Sequence, residues 1–208
     1  MTGIDAVLFD VGNVLIEWDP RHLYRRVFVT EDGAPDDERV HWFLSEVCTT
    51  DWHVQHDLGR SPDEQIAALV PHHPDHADLI RTFYERFQEM IPGAIEPMVV
   101  AKRQMKAAGI GIYGLTNFGV ETFEETRRRF DFLNGFEDVV VSGVEGMKKP
   151  DPAIFRICID RFGIIPERTL FIDDSAANIE SARALGFATH HFDGPDNCLK
   201  KCRALGLI

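Results

Sequence analysis

Apolar residues fall into five short continuous runs, separated by longer stretches in which they recur every three or four positions. The short runs cover residues 5–9, 110–115, 138–142, 168–172 and 188–192. They are rich in β-branched and aromatic side chains and predict strands. The spacing between them predicts helices over 93–108, closed by Gly109, and over 121–130, 152–163 and 176–185, the last closed by Gly186. A final helix is expected over 196–205 with Asp196 as its N-cap. Strands alternating with helices predict a parallel sheet covered on both faces, a Rossmann-like, doubly wound α/β core.

One interval breaks the alternation. Residues 20–91 are too long for a single crossover and contain no convincing strand. Val40, Phe43, Leu44 and Val47 share one helical face, and so do Ile80, Phe83, Tyr84, Phe87 and Ile91. Pro35, Pro62 and Pro71 fall between helices or at their first turns, where a missing N–H matters little. The segment is expected to be an all-helical cap inserted into a core made of residues 1–19 and 92–208. Its hinges would lie near Trp18-Asp19-Pro20 and Ile91-Pro92-Gly93.

Composition narrows the classes. With 22 basic and 34 acidic residues among 208, the formal charge is −12. That argues against nucleic acid or an anionic membrane as partner. No apolar stretch approaches a membrane span, and the first residues lack the basic start of a signal peptide. Cys48, Cys158, Cys198 and Cys202 form no CxxC pair, and free thiols fit a cytoplasmic location. A monomer or a homodimer is expected.

Polar clusters close the strand runs. Asp10 and Asn13 follow the first, Thr116-Asn117 the second, Lys148-Lys149 the third and Asp173-Asp174 the fourth. Taken singly, each suits a bland role: Thr116-Asn117 a turn, Asp173-Asp174-Ser175 a helix cap, the lysines a solvated surface. In a parallel sheet, however, all four arrive at one edge. Three carboxylates brought together repel and need a cation, and hard oxygen ligands suit Mg²⁺. A carboxylate held ionised beside a lysine can act as a nucleophile. A hydroxyl, an amide and an ammonium can hold the non-bridging oxygens of a phosphoryl group.

The ordered set Asp-x-Gly-Asn-Val, Thr-Asn, Lys-Pro-Asp-Pro and Asp-Asp-Ser-x-x-Asn resembles the four motifs of the haloacid dehalogenase-like hydrolases. The match is nearest to a phosphatase branch whose first motif reads Asp-x-Gly-Asn-Val and which includes a bacterial glucose-1-phosphate phosphatase. The resemblance implies a Mg²⁺-dependent phosphatase acting on a small phosphorylated metabolite, such as a sugar phosphate. It makes Asp10 the nucleophile. It gives Mg²⁺ to Asp10, the Gly12 carbonyl and Asp174, with Asp173 as ligand or close neighbour. Thr116 and Asn117 would hold the phosphoryl group, and Lys149, rather than Lys148, would neutralise it.

One position departs from that pattern. The family's phosphatases carry a second Asp two residues after the nucleophile, and here Gly12 has no side chain. Loss of general acid–base help is typically worth ~10²–10⁴-fold. Asp19, Glu17 or a cap residue is therefore expected to replace it, with Asp19 first. Arg21 lies near enough to touch substrate. Trp52, His53, Asp57 and Arg60, in the middle of the cap, suit either a leaving-group pocket or simple packing. His72, His73 and His76 lack a partner set for a metal. Two other readings compete: a metal-independent 2-haloacid dehalogenase, which also lacks the second Asp, and a catalytically impaired phosphate-binding or regulatory protein.

Overall fold

The computed structural model describes residues 3–208. Five parallel strands form one sheet: β1 (Ala6–Phe9), β2 (Gly111–Thr116), β3 (Asp138–Val141), β4 (Thr169–Asp173) and β5 (Ala188–His191), in the order β3-β2-β1-β4-β5. All five fall within two residues of the sequence expectation. The order reverses between β1 and β4, where open α/β sheets make their crevice. Phe9 pairs with Ile172, and the Asp10 N–H donates to the Ile172 carbonyl at 2.9 Å, so Asp10 and Asp173 leave adjacent strands side by side.

Side chains of β1 alternate between two apolar layers, which is why every residue in it is buried. Val7 and Phe9 join one cluster with Ile112, Leu170 and Ile172, while Ala6 and Leu8 join the other with Val140 and Phe171. Helices α6 (Glu96–Ala107) and α11 (Pro195–Ala204) pack on the first side, and α9 (Pro152–Phe162) and α10 (Ala176–Ala184) on the second. Helix α7 (Val120–Arg129) follows β2. The edge strand β5 carries His190 and His191 and is only partly covered.

Two sequence expectations need correction. Asp196 does not cap α11: that helix starts at Pro195 behind Gly194, whose φ of 132° favours glycine, and no side chain caps it. The third polar cluster does not close a strand. A one-turn helix, α8 (Ser142–Glu145), ended by Gly146 in a left-handed conformation, intervenes between β3 and Lys149.

Between β1 and β2 the chain forms α1 (Arg21–Val27), α2 (Asp37–Glu46), α3 (Thr50–Asp57), α4 (Pro62–Leu69) and α5 (Ala77–Glu85), with short 3₁₀ turns between and after the last two. The two amphipathic faces share a core through Tyr24, whose ring centre lies 4.8 Å from that of Phe43 and 6.3 Å from that of Phe83, and Trp52 sits edge-on to Phe83. Entry and exit run alongside each other. Glu17 donates to the Gly93 carbonyl, Asp19 to Met90 and Ile95 to Leu15.

Helix α3 packs closely onto the sheet layer. His56 hydrogen-bonds Thr122 at 2.9 Å, and the Ser142 hydroxyl donates to the Asp57 carbonyl at 2.6 Å. Glycines make this approach possible. A Cβ at Gly119 would lie 1.9 Å from His56 Nε2, and one at Gly59 would lie 2.7 Å from the Gly143 carbonyl oxygen. Because hydrogen bonds at both ring nitrogens hold His56, Gly119→Ala is expected to destabilise by about 1–3 kcal/mol through overpacking. An unchanged urea midpoint would show instead that α3 shifts freely.

Candidate active site

The carboxyl ends of β1, β2 and β4 open into a cavity of about 220 Å³. Asp10, Gly12, Asn13, Thr116, Asn117, Lys149 and Asp174 line its floor. The turn after β1 needs Asn13 at φ 54°, a conformation that Asn tolerates best among non-glycine residues.

Lys149 is the electrostatic centre. Its Nζ lies 2.9 Å from Asp10 Oδ1 and 2.7 Å from Asp173 Oδ2, with all three side chains largely removed from water. The lysine reaches this place because Asn117 grips its main chain. Asn117 Oδ1 accepts from Lys149 N–H at 2.9 Å, and Asn117 Nδ2 donates to the Lys149 carbonyl at 3.0 Å. Both ends of the Asn117 side-chain amide are thus engaged with the Lys149 main chain. Lys148 stays outside this network, as expected.

The paired acids after β4 have different jobs. Asp173 is fully buried and accepts from Ser175 N–H at 2.8 Å, from Asn178 Nδ2 at 2.9 and 3.1 Å, and from Lys149. Burial raises its pKa, but Lys149 and these donors outweigh burial and hold it below the usual carboxylate range. Asp174 is solvent-facing, and burial together with Asp173 pushes it up. Asp10 is pushed well up, by burial first and then by Asp173 and Asp174, against the pull of Lys149. Ligand oxygens of Asp10, Asp173 and Asp174 lie within 4.8 Å of one another. Three carboxylates thus face one ammonium, an imbalance that a divalent cation would cancel. Asn178 was not singled out as a site residue, although it closes the Asp-Asp-Ser-x-x-Asn motif and lies five positions after Asp173.

Asp19 and Arg21 are not part of this arrangement. Asp19 accepts from the Arg21 main chain and guanidinium at 2.7–3.0 Å, and neither lines the cavity. Burial is the largest single influence on Asp19 and raises its pKa, but the hydrogen bonds and charge of Arg21 together outweigh it and hold the carboxyl below its ordinary value. The three histidines at 72, 73 and 76 form no metal cluster among the described residues, and His76 packs against the Trp42 ring.

The cavity roof comes from the helical insert and its hinges: Trp18, Thr50, His53, Val54, Asp57 and Phe87, with Phe118 from the sheet side. Of the four mid-insert residues singled out from the sequence, His53 and Asp57 reach the cavity. Trp52 packs inward with its Nε1 donating to the Gln65 carbonyl, and Arg60 does not line the cavity.

A model of haloacid dehalogenase-like hydrolases matches residues 4–186. The chain belongs to that family. It is therefore a hydrolase. It is 27% identical over 219 residues to acyl-CoA dehydrogenase family member 10 of Mus musculus, covering 96% of this chain but only 19% of that much longer protein. It is 24% identical to the sesquiterpene phosphatase astK of Aspergillus oryzae, covering 99% and 98% of the two chains. In fold this hydrolase is similar to a Bacteroides thetaiotaomicron enzyme of the same superfamily crystallised with magnesium, with a TM-score of 0.73, 20% identity, and 97% and 99% of the two chains covered.

Proposed function

We propose that this hydrolase is a Mg²⁺-dependent phosphatase of small phosphomonoesters, with Asp10 as the nucleophile. The observation that carries the reading is Lys149 seated between Asp10 and Asp173 with Asp174 alongside. A metal-independent dehalogenase would have to keep this excess of buried negative charge uncompensated, which is costly. A phosphatase with Mg²⁺ bound compensates it. Asp10, Asp174 and the Gly12 carbonyl would hold the ion, while Asp173, already saturated with donors, orients Lys149. The ion supplies charge neutralisation for an incoming phosphate dianion. The magnesium complex of the Bacteroides enzyme and the phosphatase activity of the Aspergillus relative support the same reading.

The residues of this chain then divide the work. Asp10 Oδ attacks phosphorus and forms an aspartyl-phosphate. Lys149, together with the bound cation, favours the ionised form of Asp10 and neutralises the transferring group. The Thr116 hydroxyl and the Asn117 main-chain N–H hold its non-bridging oxygens. Residues 1–19 and 92–208 act as the catalytic unit and 20–91 as a cap that walls the cavity. A cavity of about 220 Å³ suits a small metabolite. Sugar phosphates, the substrates suggested by the Asp-x-Gly-Asn-Val branch, are the first to try. Four buried free cysteines suit a reducing compartment such as the cytoplasm.

Phosphate release should stop on chelation and return with Mg²⁺, because a cation offsets the burial and the neighbouring carboxylates that disfavour the ionised form of Asp10. Metal-free release of chloride from 2-chloropropionate, without phosphatase activity, would overturn the proposal.

A further inference from the structure

Gly12 leaves the site without the acid its family places there, and the gap is physical. A Cβ built on Gly12 meets nothing within 4 Å. No neighbour fills the space, and Asp19 is turned away. The proton must come from another wall of the same cavity.

Helix α3 supplies that wall. Thr50, His53, Val54 and Asp57 are spaced at three, four and seven residues, so one helical face lines the cavity. Asp57 ends that face. Among the described residues its carboxyl makes no hydrogen bond, although its side chain is only 14% exposed. Buried carboxylates are normally paired, so an unpartnered one opening into a cavity calls for an explanation. His53 Nε2 lies 3.9 Å from Asp57 Oδ1, too far for a hydrogen bond. His53 is also neutral, its pKa lowered to about 3 by burial and by His56, so the two do not form an ion pair. The main chain of Asp57 is fixed: its carbonyl accepts from Ser142, and His56, one residue before, is tied to Thr122. The helical insert thus holds a free carboxyl rigidly over the floor that carries Asp10, Thr116 and Lys149.

We propose that Asp57 is the general acid–base that replaces the side chain missing at Gly12. This rests on the phosphatase reading. In the first half-reaction the Asp10 carboxylate bonds to phosphorus, the P–O bond to the leaving group breaks, and the Asp57 carboxyl protonates the departing oxygen. In the second, the Asp57 carboxylate takes a proton from water as that water attacks phosphorus. The bond to Asp10 breaks, inorganic phosphate leaves, and Asp57 is again protonated. Burial pushes the Asp57 carboxyl up to about 7, against the pull of Lys148 and Lys149, so both forms are populated near neutrality.

The test is kcat against leaving-group pKa for ring-substituted phenyl phosphates and propyl phosphate in Mg²⁺. Wild type should give a shallow slope. Asp57→Asn should steepen it, losing ~10²–10⁴-fold on propyl phosphate and far less on 2,4-dinitrophenyl phosphate, whose leaving group needs no proton. With that ester the variant should also show a burst of phenol release, because dephosphorylation now lacks its base. Gly12→Asp added to Asp57→Asn should restore propyl phosphate turnover, since a Cβ at position 12 meets no neighbour. A loss uniform across leaving groups, with no burst and no rescue, would mean that Asp57 only supports the structure and would overturn the assignment. So would an unchanged slope in the variant. Wild type inert to every ester in Mg²⁺ overturns the phosphatase reading itself, and is recognised before any variant is compared.

Discussion

Asp10→Asn is expected to reduce turnover to background on every phosphate ester, activated or not, while the protein remains folded. The amide keeps the volume of the carboxylate but cannot attack phosphorus. The fold should survive because two effects oppose each other. Lys149 loses one of its two carboxylates but keeps Asp173 at 2.7 Å, and Asp173 and Asp174 lose a neighbour of like charge. Asp10→Asn differs in kind from Asp57→Asn, which should retain activity on good leaving groups. Measured turnover of 2,4-dinitrophenyl phosphate by Asp10→Asn at the wild-type rate would end the aspartyl-phosphate reading. Circular dichroism and a urea titration on the same sample would show that the loss is chemical.

Lys149→Met should have the largest combined effect, removing activity and costing stability. The side chain is 1% exposed, and its ammonium is the cation nearest both Asp10 and Asp173. Taking one partner from a buried ionic group leaves charge uncompensated, which costs about 3–5 kcal/mol, or on the order of 10 °C in Tm for a chain of this size. The pH dependence fixes the sign. In the wild type Lys149 helps hold the Asp173 pKa below its unfolded value, so the resulting stabilisation is present above about pH 4 and is lost as pH falls through the depressed pKa. In the variant that depression goes, and Asp173 and Asp10 bind protons more readily when folded. The deficit should therefore be largest at pH 7 and shrink as pH falls through the carboxylate range to about 3. Denaturation at the two pH values checks this, and an equal deficit at both would argue against charge as its source.

The strands were legible because a buried parallel strand reads as a short apolar run, and those at β1 and β4 close on the acids they deliver. The helical insert was legible from Val40, Phe43 and Val47, and from Ile80, Phe83 and Tyr84, whose periodic faces are buried in one core. What escaped depended on contacts between distant parts of the chain. The Asn117 amide reads as a turn residue until Lys149, 32 positions on, folds back to occupy both its ends. Asp57 stood out no more than Trp52 or Arg60, because its place over the cavity depends on contacts such as that of its carbonyl with Ser142, 85 positions away. Asp19 was a reasonable candidate by distance from Asp10, and Arg21, only two residues beyond, claims it locally. The α8 turn was missed because four residues beginning Ser-Gly offer no period to detect.

The empty ground beside Gly12 also bears on how such a site can change over generations. The first carbon of a side chain gained there meets nothing within 4 Å, so the main chain sets no steric bar to a replacement. A lineage could hold acids at position 12 and on α3 together, or either alone, through single replacements that leave the floor around Lys149 untouched. The position on α3 has no such latitude, because close glycine contacts hold that helix in place. Within this architecture, the proton donor can wander more easily than the scaffold that aims it.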